Sequence, residues 1–348
     1  MDNTDINHSP LTDGATPPVI DILVAGLPGP LMGWTVDVLT RAATGRSLSV
    51  THLPIAGEAR WNPVDPASEP ASPVPAARVF VGDFLQDAWA DPIRNGHLAA
   101  VLVLDDVGPS WEKLSEIGQQ PAEVRHNLVA VATSFGDVAG QHRVLVVTRS
   151  PWDDPPTLAA RILRHAGLSV ETSDALFAII AGAGSTSAPC DRPTPVPIPD
   201  EYRQAVETVV VPAFEYGRTG ARLPVTWPRS CLYWGDSPGE ALPRVLDLTG
   251  PSRILAYGPY LALPPGRWTM STTLALSPAS RGAVLSLGLY GSTDLGRFEF
   301  GVEGAGLFKA SIPVTVVSPR EPLEIRLVTE RGAIEGTIGM DDIAFRPE

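Results

Sequence analysis

Cysteine is nearly absent from this chain, which has only Cys190 and Cys231 among its 348 residues. Two cysteines provide neither a disulfide framework nor the ligand spacing of a zinc site. The six histidines show no metal-ligand spacing either. The sequence therefore predicts no bound metal.

Positive charge is also scarce, because 26 Lys and Arg residues face 39 Asp and Glu residues, which gives a formal net charge of −13. A chain this acidic is a poor general binder of nucleic acid or anionic membranes. No apolar run approaches the ~18 residues of a membrane span, and residues 1–18 lack the basic and apolar regions of a secretory signal. We therefore expect a cytoplasmic protein with no membrane span and no nucleic-acid partner.

Apolar residues make up 44% of the whole chain, and two kinds of sequence pattern follow each other along it. After a predicted flexible tail at residues 1–18, residues 19–222 alternate Val/Leu-rich strands with helical patterns, which predicts a parallel α/β sheet covered on both faces. Residues 223–348 contain short strand-like runs between Gly/Pro turns, which predicts an all-β jelly-roll sandwich. Residues 62–77, rich in Pro, Ser and Ala, are predicted to be a long surface loop, either a lid or an insertion.

A glycine-rich turn, AGLPGPLMGWTVDVL (25–39), connects the first strand to the first helix. It resembles the phosphosulfate-binding loop of the sulfotransferases, and the matching positions are Gly26, Leu27, Pro28 and Trp34. The segment RVLVVTRSPWDDPPTLAARILRHAGL (143–168) is similar to a late strand–loop–helix of the same family. The resemblance implies a P-loop-like sulfotransferase fold for the α/β part.

The family's cofactor-binding loop is altered in this chain. In sulfotransferases, this loop holds the phosphosulfate of 3′-phosphoadenosine 5′-phosphosulfate through backbone N–H groups, hydroxyls and a basic side chain. Gly29 stands at the basic position, Met32 and Gly33 replace the hydroxyls, and Pro30 removes a backbone donor. The positions that remain as candidate cofactor contacts are Gly26, Gly29, Gly33 and Ser110. We expect no cofactor to bind unless the chain is a divergent sulfotransferase.

The family's 3′-phosphate anchor is altered as well. The strand that corresponds to it ends in Asp105 and Asp106, whose charges would repel a phosphate, although Ser110 follows. An alternative anchor is Arg125 together with Ser134. The altered loop and the altered anchor both predict an α/β domain that serves as a scaffold.

Two residues are candidates for the catalytic base, which in this family is commonly a His at the end of a strand. On the strand expected to carry it, the position is occupied by Asp83, and an aspartate can act as a base. His52 lies in a THLP sequence that matches the family's motif, but on an earlier predicted strand. A loop histidine with no catalytic role is the simpler interpretation of His52.

The sandwich resembles the small jelly-roll modules appended to bacterial enzymes of surface-polysaccharide assembly. The segment GPYLALPPGRW (258–268) carries this resemblance, together with the closing GMDDIAFRPE. Sugar-binding sandwiches offer aromatic rings with polar groups beside them. Seven aromatic residues are candidates for such a site, and three of them are Trp227, Trp268 and Tyr290. Most of the seven are expected to lie in the core. The predicted ligand-binding residues are Tyr233, Trp234, Tyr257 and Tyr260.

Three functions remain open on the sequence. The first is a non-catalytic protein that binds a glycan or scaffolds polysaccharide-synthesis proteins in bacterial surface-polysaccharide production. The second is a divergent sulfotransferase that modifies a polysaccharide. The third is an assembly protein, for instance a homo-oligomer, whose sandwich forms a subunit interface; an exposed apolar patch on the sandwich would favour it.

Overall fold

The computed structural model describes residues 20–43, 48–52, 77–149, 154–168, 170, 172–183 and 198–348. The predicted tail at residues 1–18 lies outside these ranges. The predicted loop at residues 62–77 does so too, except for Ala77, which begins a strand.

The first part of the chain is a five-stranded parallel sheet with helices on both faces. Its strands have the order β2-β3-β1-β4-β5, and every described pairing is parallel. The strands are β1 (Ile20–Gly26), β2 (Leu48–His52), β3 (Ala77–Gly82), β4 (Ala99–Leu104) and β5 (Val144–Thr148). The helices are α1 (Pro30–Ala42), α2 (Asp87–Arg94), α3 (Val107–Glu116), α4 (Pro121–Gly136), α5 (Pro155–His165), α6 (Ser173–Gly182), α7 (Asp200–Ala205) and α8 (Val211–Thr219).

Continuous apolar runs place β1 and β4 at the centre of this sheet. All six residues of β4 are buried, as expected for a parallel strand covered on both faces. Successive side chains point to opposite faces, so Ile22 and Val24 pack with α1 and α5, whereas Leu23 and Ala25 pack with α2, α3 and α4. The carboxyl ends of β1, β3 and β4 therefore open onto one edge between two helical layers.

The helical segment EYRQAVETVVVPAFEYG (201–217) contains an interruption. A π-helical turn at Val206–Val210 separates α7 from α8. Pro212 explains it, because proline has no N–H to donate to the carbonyl of Thr208 four residues earlier.

The second part is a sandwich of two antiparallel sheets. The first contains β6 (Val225–Trp227), β8 (Leu246–Asp247), β10 (Gly266–Leu276), β13 (Gly306–Val316), β15 (Thr337–Met340) and β16 (Ile343–Pro347). The second has the order β12-β11-β14-β9-β7 and contains β7 (Tyr233–Trp234), β9 (Arg253–Leu261), β11 (Val284–Tyr290), β12 (Asp294–Gly301) and β14 (Leu323–Thr329). The fold class predicted from the sequence, an α/β sheet followed by an all-β sandwich, is confirmed.

The two parts share one hydrophobic core, and α4 is the element that joins them. Buried residues of α4, α8 and the sandwich belong to the same apolar cluster. Helix α8 approaches α4 closely at Gly217, where a Cβ atom would lie 2.6 Å from the carbonyl oxygen of Ala132. On its other side, α4 contacts β9. The opposite face of the parallel sheet has a separate core with α1, α5 and α6.

No helix within the described ranges is long and apolar enough to cross a membrane.

Candidate functional site

A carboxylate of the protein itself lies against the turn between β1 and α1. Asp105, which follows β4, accepts a hydrogen bond at Oδ2 from the backbone N–H of Leu31 in the first turn of α1 (3.1 Å). An added Cβ atom on Gly29 would lie 3.3 Å from the same oxygen. A helix N-terminus favours an anion through its free N–H groups and its dipole. Asp105 therefore occupies the position in which the resemblance would place a phosphate group.

Asp105 is in turn paired with Arg149, which follows β5. Nε of Arg149 donates to Oδ1 of Asp105 (2.8 Å), and a second guanidinium nitrogen donates to Oδ2 (3.3 Å). The two side chains are only 1% and 3% exposed. Burial, followed by the neighbouring Asp105 charge, raises the pKa of Asp106 above its ordinary value. The ion pair thus neutralises the charge of Asp105 at the carboxyl ends of β4 and β5.

The four candidate cofactor contacts differ in their surroundings. An added Cβ atom on Gly26 would lie 2.6 Å from the carbonyl oxygen of Val103 on the adjacent strand, so Gly26 permits close packing there. Gly29 immediately precedes α1 in extended backbone. Gly33 lies in α1 and is exposed, and Ser110 is buried in α3.

Replacing Gly33 with alanine is expected to raise the free energy of unfolding by about 0.5–1 kcal/mol, because alanine stabilises a helix interior relative to glycine. No atom lies within 4 Å of the added Cβ, so no clash opposes this gain. Urea denaturation followed by circular dichroism measures the change. Gly26→Ala is the matched control and should destabilise the protein; a loss of stability in Gly33→Ala would show that this turn has a constraint beyond the helix.

The two candidate bases lie at different distances from the turn. Asp83 follows β3, the neighbour of β1, and lines a cavity together with Leu27 and Pro28 of the turn. His52 is the last residue of β2, the edge strand, and β3 separates it from β1. Asp83 is therefore the candidate base that the fold brings beside the β1–α1 turn.

Three of the four predicted ligand-binding residues form one aromatic cluster. The ring centroids of Tyr233 and Tyr257 are 5.5 Å apart, and those of Tyr257 and Tyr260 are 6.3 Å apart. Gly258 permits this arrangement, because a Cβ atom there would lie 2.8 Å from the Tyr233 ring. Trp234 points to the opposite face of β7, as neighbouring strand residues do, and packs against the core.

Tyr260 is the most unusual member of the cluster. It is 40% exposed, and its φ of +62° lies in the left-handed region, which non-glycine residues rarely adopt. Its hydroxyl donates to Oε1 of Glu324 (3.3 Å). Burial, followed by the Glu324 charge, raises the pKa of Tyr260 to about 12. Such uncommon backbone conformations concentrate at functional sites.

A cleft between the α/β part and the sandwich runs past this cluster. It consists of two adjoining cavities of about 330 and 510 Å³. The first lies at the strand ends and includes Asp83, and the second is lined by Tyr233 and Tyr260. Three polar residues line both cavities, namely Gln119, His126 and Asn127. We call these two cavities the interdomain cleft.

Helix α4 provides the polar wall of the interdomain cleft. Nδ1 of His126 donates to the backbone carbonyl oxygen of Tyr260 (2.7 Å), which leaves Nε2 as an acceptor in the neutral ring. The side-chain amide of Asn127 donates to Gln119 (2.9 Å). Arg320, from the loop between β13 and β14, also lines the strand-end cavity and donates to the carbonyl oxygen of Leu85 (3.3 Å). Tyr233 and Tyr260 thus share their half of the cleft with amide and imidazole groups, and the guanidinium group lines the strand-end half.

Sequence reasoning did not identify the polar residues of this wall. Gln119 lies just before α4, and His126 and Asn127 lie in its first half. Their relation to the tyrosines depends on how the two parts of the chain pack. The alternative anchor Arg125 lines neither cavity of the cleft; it is 5% exposed, and its Nε has no hydrogen-bond partner in the described structure. Among the described residues, no group of three His, Cys, Asp or Glu side chains could hold a metal ion.

Comparison with known proteins gives likenesses of structure only. No protein-family model matches the chain, and no curated protein matches it. Mouse sulfotransferase SULT7A1, solved with PAP, is similar over 47% of this chain and 63% of its own length, with 11% identity and a TM-score of 0.35. The chain thus spans less than two thirds of that enzyme.

Carbohydrate-binding modules are also similar to part of the chain. The C-terminal CBM6 of LamC, a laminarinase from Zobellia galactanivorans, covers 35% of this chain and 98% of its own, with 15% identity and a TM-score of 0.24. The N-terminal cellulose-binding domain of Cellulomonas fimi β-1,4-glucanase C covers 35% and 97%, with 11% identity and a TM-score of 0.22.

Proposed function

We propose that the protein binds a glycan in the interdomain cleft and does not act on it chemically. The observation that carries this proposal is the tyrosine cluster, of which Tyr233 and Tyr260 line the cleft together with the polar wall. Tyrosine rings can pack against the apolar face of a sugar, while imidazole, amide and carboxylate groups bond its hydroxyls. The resemblance of residues 258–268 to modules of bacterial surface-polysaccharide enzymes supports a role as a binding or scaffolding factor in that process.

The absence of catalysis in this proposal rests on Asp105. A carboxylate that already accepts from the first turn of α1 and from Arg149 leaves little electrostatic attraction for a phosphosulfate. Titration calorimetry of the full chain with 3′-phosphoadenosine 5′-phosphate, the spent sulfo donor, at low salt tests this. No heat at millimolar ligand is expected, and micromolar binding would overturn the non-catalytic assignment.

A divergent sulfotransferase is the second candidate function, and the position of Asp83 favours it. Asp83 lines the strand-end half of the interdomain cleft, so a glycan bound at the tyrosines could extend toward a carboxylate base. Micromolar binding of the spent donor in the same calorimetric experiment, followed by sulfation that is lost in Asp83→Asn, would establish this alternative.

Tyr233→Ala and Tyr260→Ala are each expected to weaken glycan binding about tenfold, because each removes one ring of the cluster, worth about 1–1.5 kcal/mol. Tyr260→Phe should keep most of the affinity, since it retains the ring and loses only the hydroxyl bonded to Glu324. A glycan array identifies the ligand, and calorimetry measures the changes. Phe177→Ala, in α6 and 57% exposed, is the matched control. Equal affinity in all four variants would contradict the cleft as the binding site.

A further inference from the structure

A second aromatic site lies on the sandwich, away from the interdomain cleft. Strands β12 and β13 are the edge strands of the two sheets, and a cavity of about 250 Å³ opens where these edges meet. Its walls include Phe298, Phe300 and Phe308, and its floor reaches the buried core residues Leu274 and Leu276. We call this cavity the edge groove.

Two rings of the edge groove form a stacked pair on β12. Phe298 and Phe300 lie two residues apart and therefore on the same side of β12. Their ring centroids are 5.7 Å apart and their planes differ by only 14°. Phe298 is 51% exposed, and Phe308 on β13 is 42% exposed. Exposed aromatic rings beside an open cavity are a typical mark of a binding surface.

Pairing with the edge strand of a second copy is disfavoured by the sequence of β13. Lys309 and Pro313 both lie on this strand with exposed side chains. Lysine and proline on an edge strand oppose the addition of another strand, because one brings charge and the other lacks an N–H. The groove is therefore better suited to a small ligand than to a backbone partner.

The polar groups of the edge groove favour a neutral polar ligand. Lys309 and Glu303 line the same cavity and carry opposite charges. An anionic ligand would be attracted by one and repelled by the other, and a hydrocarbon chain would use neither. A neutral sugar can place its apolar face on the phenylalanine rings, accept from the ammonium group and donate to the carboxylate.

We propose that the edge groove binds a sugar residue of a neutral glycan, as a second site that shares no residue with the interdomain cleft. This assignment stands on the groove itself and does not require the cleft to bind sugar. It makes the sandwich a glycan-binding unit in its own right, with Phe298, Phe300 and Phe308 as the stacking surface and with Glu303 and Lys309 as the groups that bond hydroxyls.

The test is calorimetric titration of the full chain with neutral oligosaccharides, namely laminarihexaose, cellohexaose and β-1,4-galactotriose. The double variant Phe298→Ala/Phe308→Ala removes the exposed rings, and Ile334→Ala, 94% exposed on the same sandwich, is the matched control. We expect the double variant to lose about tenfold or more in affinity at one site. The variant Tyr233→Ala/Tyr260→Ala should keep that site.

Three results would overturn the groove assignment. They are unchanged binding in the phenylalanine double variant, no binding of any probe in the tyrosine double variant, and a change of oligomeric mass in the phenylalanine variant without a change in sugar binding. The last result, measured by light scattering, would identify the groove as a contact between copies of the chain. Failure of the cleft proposal has a different signature, since the tyrosine variant would then bind as the wild type does.

Discussion

Replacing Asp105 with alanine is expected to lower the free energy of unfolding by about 3–5 kcal/mol, the usual result of removing one partner from a buried ion pair. The guanidinium of Arg149 would remain 3% exposed without its carboxylate. The backbone N–H of Leu31 would also lose its acceptor at the start of α1. Chemical denaturation of the full chain measures the change.

Two further variants separate the ion pair from a general effect of removing a carboxylate. Asp106→Ala removes the neighbouring, more exposed acid and should have a much smaller effect. Asp105→Leu/Arg149→Met removes both charges and should recover most of the lost stability, because apolar residues of similar volume can replace a buried pair. If Asp105→Ala and Asp106→Ala were equally mild, Asp105 could not be the anion that holds this turn together.

Trp268→Ala is expected to lower the free energy of unfolding by about 3–5 kcal/mol, because the substitution removes a buried indole and leaves a cavity. Trp268 is 0% exposed on β10, and its Nε1 donates to the carbonyl oxygen of Pro264 (2.9 Å). The indole ring also lies beneath the guanidinium of Arg222, at 5.9 Å. The substitution therefore removes core packing, a hydrogen bond and a ring contact together.

Thermal and chemical denaturation of Trp268→Ala test this core assignment. Phe177→Ala should change stability by no more than about 0.5 kcal/mol, as surface substitutions usually do. Had Trp268 been a sugar-stacking residue instead, its replacement would reduce glycan affinity and leave stability nearly intact. The stability loss thus distinguishes a core tryptophan from the ligand-facing tyrosines of the same sandwich.

The fold class was predictable because its signals are local. The apolar run AAVLVL becomes a fully buried parallel strand, and the alternating pattern of GRWTMSTTLAL becomes β10 with Trp268 and Met270 inward. The interruption at Val206–Val210 was not predicted, although Pro212 was a visible signal. Local patterns thus identify the kind of element more reliably than its continuity.

The candidate site was only partly predictable, because it depends on contacts between distant segments. Tyr233, Tyr257 and Tyr260 were identified from composition and motif, but Trp234 points inward by strand alternation once β7 forms. The sequence indicated that Asp105 would repel phosphate. It did not show that Asp105 bonds to Leu31 and Arg149, 74 and 44 residues away along the chain. Only the packed chain brings those groups to one place.

The shared core has a consequence for dissecting this protein. Because α4, α8 and the sandwich bury their apolar side chains in one cluster, the α/β part and the sandwich are expected to melt in a single cooperative transition. Cutting the chain near residue 222 would expose part of that apolar interior to water on both fragments. Grafting the sandwich onto another protein would therefore require polar replacements where it meets α4 and α8, in contrast to modules joined by a free linker, which can be exchanged intact.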